Sequence, residues 1–268
     1  MSEPTSFYTG ADGAFTATPR AASPWNPANQ NGVAIVALMT HLIEQTPTLA
    51  PMMLARLTVE IARPTPIAAF EADCRIVREG RRMQNLEVVF RAGGEIRARA
   101  TALRVRRADS PVVAETLSYP APEDTPARSL SRSDGPRGGL ETRVLSGGLL
   151  ERGPGRGWVR PAVDILPGVA ATPLVAAAMA ADIGSAMSSI FEHGVWSFAN
   201  VDVALHFVRP PEGDWIFADA ATVSAGDGSA LVNTTLADRR GPFARAHQTL
   251  FVEPMRIPSL SVLEAARA

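Results

Sequence analysis

Between Leu54 and Arg107 the chain alternates apolar and polar residues in four runs: Leu54–Arg63, Ala68–Glu79, Arg82–Ala92 and Glu95–Arg107. Residues two apart share one face of a strand, so each run predicts a half-buried β-strand. Gly80 and Gly93-Gly94 occupy the turns between them. Just upstream, Ile35, Leu38, Met39, Leu42 and Ile43 recur at helical spacing. They predict a helix over Val33–Gln45, entered from Asn31-Gly32 and ended by Pro47 and Pro51. Phe7–Thr18 carries short strand segments around the Gly10-Ala11-Asp12-Gly13 turn.

The same order then returns. Strands are expected at Leu140–Leu150 and Gly157–Pro161. Thr172-Pro173 supplies an N-cap followed by proline at the first helical position, and that helix should run to about Phe191. Phe198–Arg209, Trp215–Ser224, Ser229–Asp238 and Phe243–Glu253 follow as strands. Leu57, Val59, Ile61, Arg63 and Pro64 fall on Val203, Leu205, Phe207, Arg209 and Pro210, an offset of 146 residues. Over Leu57–Arg106 the identities number 9 of 50, and the element pattern repeats with them. A repeat this long is a duplicated domain, not a solenoid unit. The expected division is a domain over residues 1–108, a linker over 109–139, a second domain over 140–256 and a tail over 257–268. The linker is rich in Pro, Ser, Asp and Arg and reads as exposed and mobile; Pro258–Ala268 reads as a short helix.

The second helix, TPLVAAAMAADIGSAMSS, is mostly small residues. Small side chains let a sheet approach closely and curl around a helix. With the repeat, this predicts an α+β double hot-dog: two curved antiparallel sheets, each wrapping a long helix.

Composition narrows the function. The chain is 46% apolar and 20% charged, as in a soluble globular protein. A net charge of −1 gives nothing to attract nucleic acid or an anionic membrane. No apolar run reaches the roughly 18–20 residues needed to span a bilayer. The N-terminus lacks a basic region followed by an apolar stretch, so no secretory signal is expected. Cys74 is the one cysteine, read as a buried strand residue, and it fits a reducing cytoplasm. All 26 basic residues are arginine, which excludes a phosphate-loop lysine and a Schiff-base lysine. The Ala-, Arg-, Gly- and Pro-rich composition points to a GC-rich bacterial genome.

Three residues stand out as candidates. Asp182 lies within the small-residue helix; it is either a buried base with a raised pKa or a carboxylate facing solvent at an open helix edge. Gln248 shares a strand face with Ala244, Ala246, Leu250 and Val252, an amide on an apolar face, where its aligned residue is Ala102. It can also be read as a strand-end glutamine bonding a loop. Asn200 aligns with Leu54, but its parity matches Asp202 and His206, so it reaches a site only if the strand start is bent or frayed. His41, His193, His206 and His247 have no metal-ligand spacing, and no Gly-x-Ser-x-Gly elbow exists.

The stretches Ala180-Ala181-Asp182, Ala199-Asn200-Val201-Asp202 leading to Arg209-Pro210, and Ala246-His247-Gln248 resemble those of the thioesterase-like superfamily, specifically the type II acyl-CoA thioesterases with a double hot-dog fold. The resemblance implies that Asp182 and Gln248 hold an attacking water. It places Asn200 where a Thr or Ser is expected. It implies an acyl-CoA substrate from fatty acid metabolism, hydrolysed in the cytoplasm, with the acyl chain in a groove between the two helices and arginines on the CoA phosphates. No metal or organic cofactor is implied, since water is the nucleophile. A nucleic acid or membrane partner is not expected, and a homo-oligomer is left open. Two other readings stay open: a non-catalytic acyl-CoA-binding protein, and a hot-dog hydratase or dehydratase. The latter needs a His paired with a carboxylate, for which only His41 and Glu44 share helical spacing, expected at an exposed helix end.

Overall fold

A computed structural model of the chain describes residues 4–113, 115, 117–130 and 139–255. The first half runs β1 (Tyr8–Ala11), β2 (Ala14–Ala17), α1 (Gly32–Gln45), β3 (Met52–Ile61), β4 (Ala69–Arg78), β5 (Met83–Ala92) and β6 (Glu95–Arg106). The second repeats the order as β7 (Leu140–Ser146), β8 (Gly155–Pro161), α2 (Pro173–Asp182), a single turn α3 (Gly184–Met187), β9 (Trp196–Phe207), β10 (Ile216–Gly226), β11 (Ser229–Asp238) and β12 (Gly241–Pro254). All twelve strands form one sheet, ordered β1-β2-β4-β5-β6-β3-β9-β12-β11-β10-β8-β7. The order is a palindrome about the β3–β9 seam. No described helix is long and apolar enough to cross a membrane.

The 146-residue repeat extends to the ladder register. Leu57 opposite Ala102 in β3–β6 recurs as Val203 opposite Gln248 in β9–β12. The bulge that leaves Ala55 unpaired recurs at Val201, and a second bulge, at Arg97, recurs at Phe243. At the seam Leu57 pairs with Leu205, Thr58 with Ala204 and Val59 with Val203. Thr58 and Ala204 are equivalent under the repeat, so their pairing marks a local two-fold axis within one chain.

Both helices lie in the core and pack on each other. Asn31 caps α1, its side chain accepting from the Ala34 amide at 2.7 Å. Thr172 caps α2 through the Val175 amide at 3.2 Å, with Pro173 as expected at the first position. Every residue of α2 from Val175 to Asp182 is buried, and five are alanine. A helix enclosed on all sides has no polar face to present.

Three expectations need correction. The second helix does not reach Phe191: α2 stops at Asp182, so that residue ends a helix instead of sitting inside one. Much of the stretch read as a mobile linker is docked. Tyr119 packs on Phe217 with ring centroids 4.1 Å apart, Trp158 Nε1 donates to the Pro120 carbonyl at 2.8 Å, and Pro122 and Thr125 are buried. These are isolated anchors without a period, so no pattern betrayed them. Residues 131–138 of that stretch, and the helix expected at Pro258–Ala268, lie outside the described residues. Cys74, finally, is half-buried on β4, 3.3 Å from the Thr46 hydroxyl.

Candidate active site

Asp182 is where α2 breaks. Ile183 sits at φ −85° and ψ 1°, outside helical geometry, and Gly184 starts the next turn. Side chains explain the break. The Asp182 carbonyl accepts from Gln248 Nε2 at 2.8 Å and from Asn200 Nδ2 at 2.9 Å. A carbonyl oxygen has two lone pairs, and these amides take both. Gly184 is required at the break. A Cβ there would lie 2.5 Å from Gln248 Oε1 and 2.6 Å from Thr234 Oγ1. Those two oxygens are buried and have no conventional hydrogen-bond partner among the described residues.

The strand bulge brings Asn200 to the site. With Val201 unpaired, Asn200 faces Leu250, on the inward side shared by Gln248. One extra residue in a strand reverses side-chain parity beyond it. Asn200 Nδ2 also reaches Asp182 Oδ1 at 3.0 Å, and Asn200 Oδ1 accepts from Ser185 Oγ at 3.0 Å. All three residues singled out in the sequence therefore meet. Asp182 and Gln248 are 6% and 1% exposed, while Asn200 is half-buried and opens the cluster outward. Phe198, one step along the same face, packs against Trp25 and Phe191 and borders that opening with aromatic rings.

Burial pushes the Asp182 carboxyl up to about 6, with the Asn200 hydrogen bond pulling against it. A carboxylate titrating there is mostly ionised at neutral pH yet basic enough to take a proton from water. The first half contributes too. Gly32, the first residue of α1, lies against this carboxylate; a Cβ on it would be 2.6 Å from Asp182 Oδ2 and closer still to Oδ1. The two helices are thus in direct contact here, with no open groove between them.

The matching position in the first half is spent on structure. Leu54 and Ala102 replace Asn200 and Gln248. Setting the N-caps Asn31 and Thr172 on each other puts His41 opposite Asp182 and Glu44 opposite Ser185. This pair is half-buried, not at an exposed helix end: Glu44 Oε2 accepts from Thr172 Oγ at 2.6 Å. Burial pushes Glu44 up, opposed by Thr172 and the Arg104 charge. Arg104 itself donates to the carbonyls of Ile43 and Thr46 and to Gln84, closing the C-terminus of α1. His193, His206 and His247 are exposed. Sequence reasoning missed Gly32, Thr234 and Trp25 as site neighbours.

Comparison with known proteins bears on the fold and the family. A family model described as the acyl-CoA thioesterase C-terminal domain matches residues 113–252, more than half of the chain. A model described as the acyl-CoA thioesterase N-terminal domain matches residues 21–105. No curated protein matches the sequence significantly. Among solved structures, a conserved hot-dog protein of unknown function from Alicyclobacillus acidocaldarius superposes with a TM-score of 0.74 at 18% identity, covering 93% of this chain and 96% of that one. An acyl-CoA thioesterase II, TesB2, from Mycobacterium marinum gives 0.62 at 20%, covering 85% and 88%. A TesB protein from Mycobacterium avium subsp. paratuberculosis gives 0.64 at 19%, covering 90% and 94%. The fold is therefore a hot-dog α+β fold.

Proposed function

Because this chain belongs to the acyl-CoA thioesterase family, we propose that it hydrolyses acyl-CoA to free CoA and a carboxylic acid at one site in its second half. A single observation carries the proposal: a buried carboxylate, pushed up to about 6, is gripped by two amides that the first half lacks. Asp182 takes a proton from water as the oxygen adds to the thioester carbonyl. Collapse of the tetrahedral adduct breaks the carbon–sulfur bond, and the departing CoA thiolate recovers that proton. Gln248 fixes the backbone at Asp182 and offers its unpaired Oε1 to the water. Asn200, at the outward end, orients Asp182 through both N–H bonds of its amide. The Ala34 amide is taken by Asn31, but the Gly32 and Val33 amides precede the helix ladder and lie beside Asp182, where the developing oxyanion needs donors.

We read the architecture as a double hot-dog, with domains over residues 1–108 and 140–256. Each curved half of the sheet wraps its own helix, and the acyl chain approaches Asp182 past Trp25, Phe191 and Phe198. Asn200, standing where the resemblance expects a hydroxyl residue, favours one second reading: acyl-CoA binding without turnover. Thiol release from acyl-CoAs spanning two to eighteen carbons decides between them. Release at any length supports hydrolysis. Binding at some length with release at none supports the second reading.

A further inference from the structure

We propose that Ser185 is a positioning residue for Asp182, acting through Asn200; this rests on the hydrolytic reading above. Ser185 lies in α3, the turn that follows the break, and is 5% exposed. Its hydroxyl donates to Asn200 Oδ1 at 3.0 Å, and Asn200 Nδ2 donates to Asp182 Oδ1 at 3.0 Å and to the Asp182 carbonyl at 2.9 Å. The direction of this relay is forced at its end, because a carboxylate and a carbonyl only accept. With its NH₂ group committed to Asp182, the Asn200 oxygen needs a donor, and Ser185 supplies it. Donation into an amide oxygen polarises the amide and strengthens its N–H bonds. The first half has no such relay: Leu54 replaces Asn200, and Glu44, opposite Ser185, is itself an acceptor from Thr172.

Few other charges bear on Asp182. From α1 it meets Gly32, with His41 and Glu44 further along that helix. On β9, Asp202 accepts from the Thr249 amide and His206 is exposed. On β12, Arg245 is paired with Glu115 and His247 with Asn233. On β10 and β11, Asp219 is paired with Arg156 and Asp238 with Arg209. The Asn200 bond alone opposes the effect of burial on Asp182.

Ser185→Ala takes the donor from the Asn200 oxygen, loosens the amide and weakens the donor to the carboxylate. Asp182 then titrates higher. From a midpoint of about 6, a rise of about one unit cuts the ionised fraction at pH 6 about 5-fold and leaves it nearly unchanged at pH 9. A serine with only a structural role would lower activity at every pH or lower stability, without moving the midpoint.

The test has two readouts on wild type, Ser185→Ala and Ser185→Thr. One is the acid limb of the pH profile for thiol release from decanoyl-CoA. The other is direct titration of Asp182 by carbon-13 NMR of carboxyl-labelled aspartate, with Asp182→Asn identifying the resonance. The expected result is a higher midpoint in Ser185→Ala, restored toward wild type when threonine returns the hydroxyl. An unchanged midpoint in Ser185→Ala overturns the proposal. If that variant does not fold, Ser185→Cys, nearly isosteric and a weak donor, must show the same upward direction, and no shift again overturns it. A wild type without turnover contradicts hydrolysis, and the NMR titration still decides the role of Ser185.

Discussion

A carboxyl that titrates higher in the folded chain than in the unfolded one makes folding less favourable once it ionises. Asp182 ordinarily titrates at 3.8 and is pushed up to about 6 by burial. Below both values it is protonated in either state and the penalty is absent. The penalty grows as pH rises from about 4 through 6 and is complete above that. Two units correspond to about 3 kcal/mol. Asp182→Asn keeps the shape and removes the charge, so it should raise the melting temperature at pH 8 and have far less effect at pH 4. Thermal unfolding at the two pH values checks this; equal shifts at both would mean that Asp182 is not ionised against its surroundings. The same residue shows the reach of sequence reading. An acid among alanines was visible, as was an amide on an apolar strand face at Gln248. Their contact, through the Asp182 backbone, was not.

At the scale of elements, two local irregularities make the site, and neither is written in a short window of sequence. The break after Asp182 comes from amides 18 and 66 residues away. Asn200 points inward because Val201 bulges, which alternation alone could not show, although the same bulge at Ala55 follows from the repeat. Apart from β7, which stops at Ser146, four residues short of the expected Leu150, the strands were legible to within about two residues, since their faces are consistently apolar or polar. The start of α1 closes the site from the other half, and this gives a prediction. Alanine normally favours a helix over glycine by about 1 kcal/mol. At Gly32 the added methyl collides with the Asp182 carboxylate. Gly32→Ala should lower thiol release at least about 10-fold, by analogy with other displaced catalytic groups, without a gain in stability. Release at wild-type rates in a more stable variant would show that α1 does not confine Asp182.

At the scale of the molecule, the repeat made two like halves foreseeable, while their joining into one sheet through the pairing of β3 with β9 was not, because antiparallel seams leave no mark in either strand alone. That seam and the α1–α2 contact join the halves. Scanning calorimetry should therefore show a single unfolding transition, and two resolved transitions would mean that the halves are only tethered. Duplication has left the two halves with different polar clusters. In the first half Arg104 donates to Gln84 and Glu44 accepts from Thr172, whereas Asp182, Asn200 and Gln248 form a cluster with an outward edge, in which Gln248 Oε1 has no partner among the described residues. The central claim is that Asp182 is the base of a single hydrolytic site. Steady-state thiol release and equilibrium acyl-CoA binding, measured together on wild type and Asp182→Asn, test it most directly. Loss of a general base should reduce release by about 10²–10⁴ while binding persists. Undiminished release from the folded variant would contradict the claim.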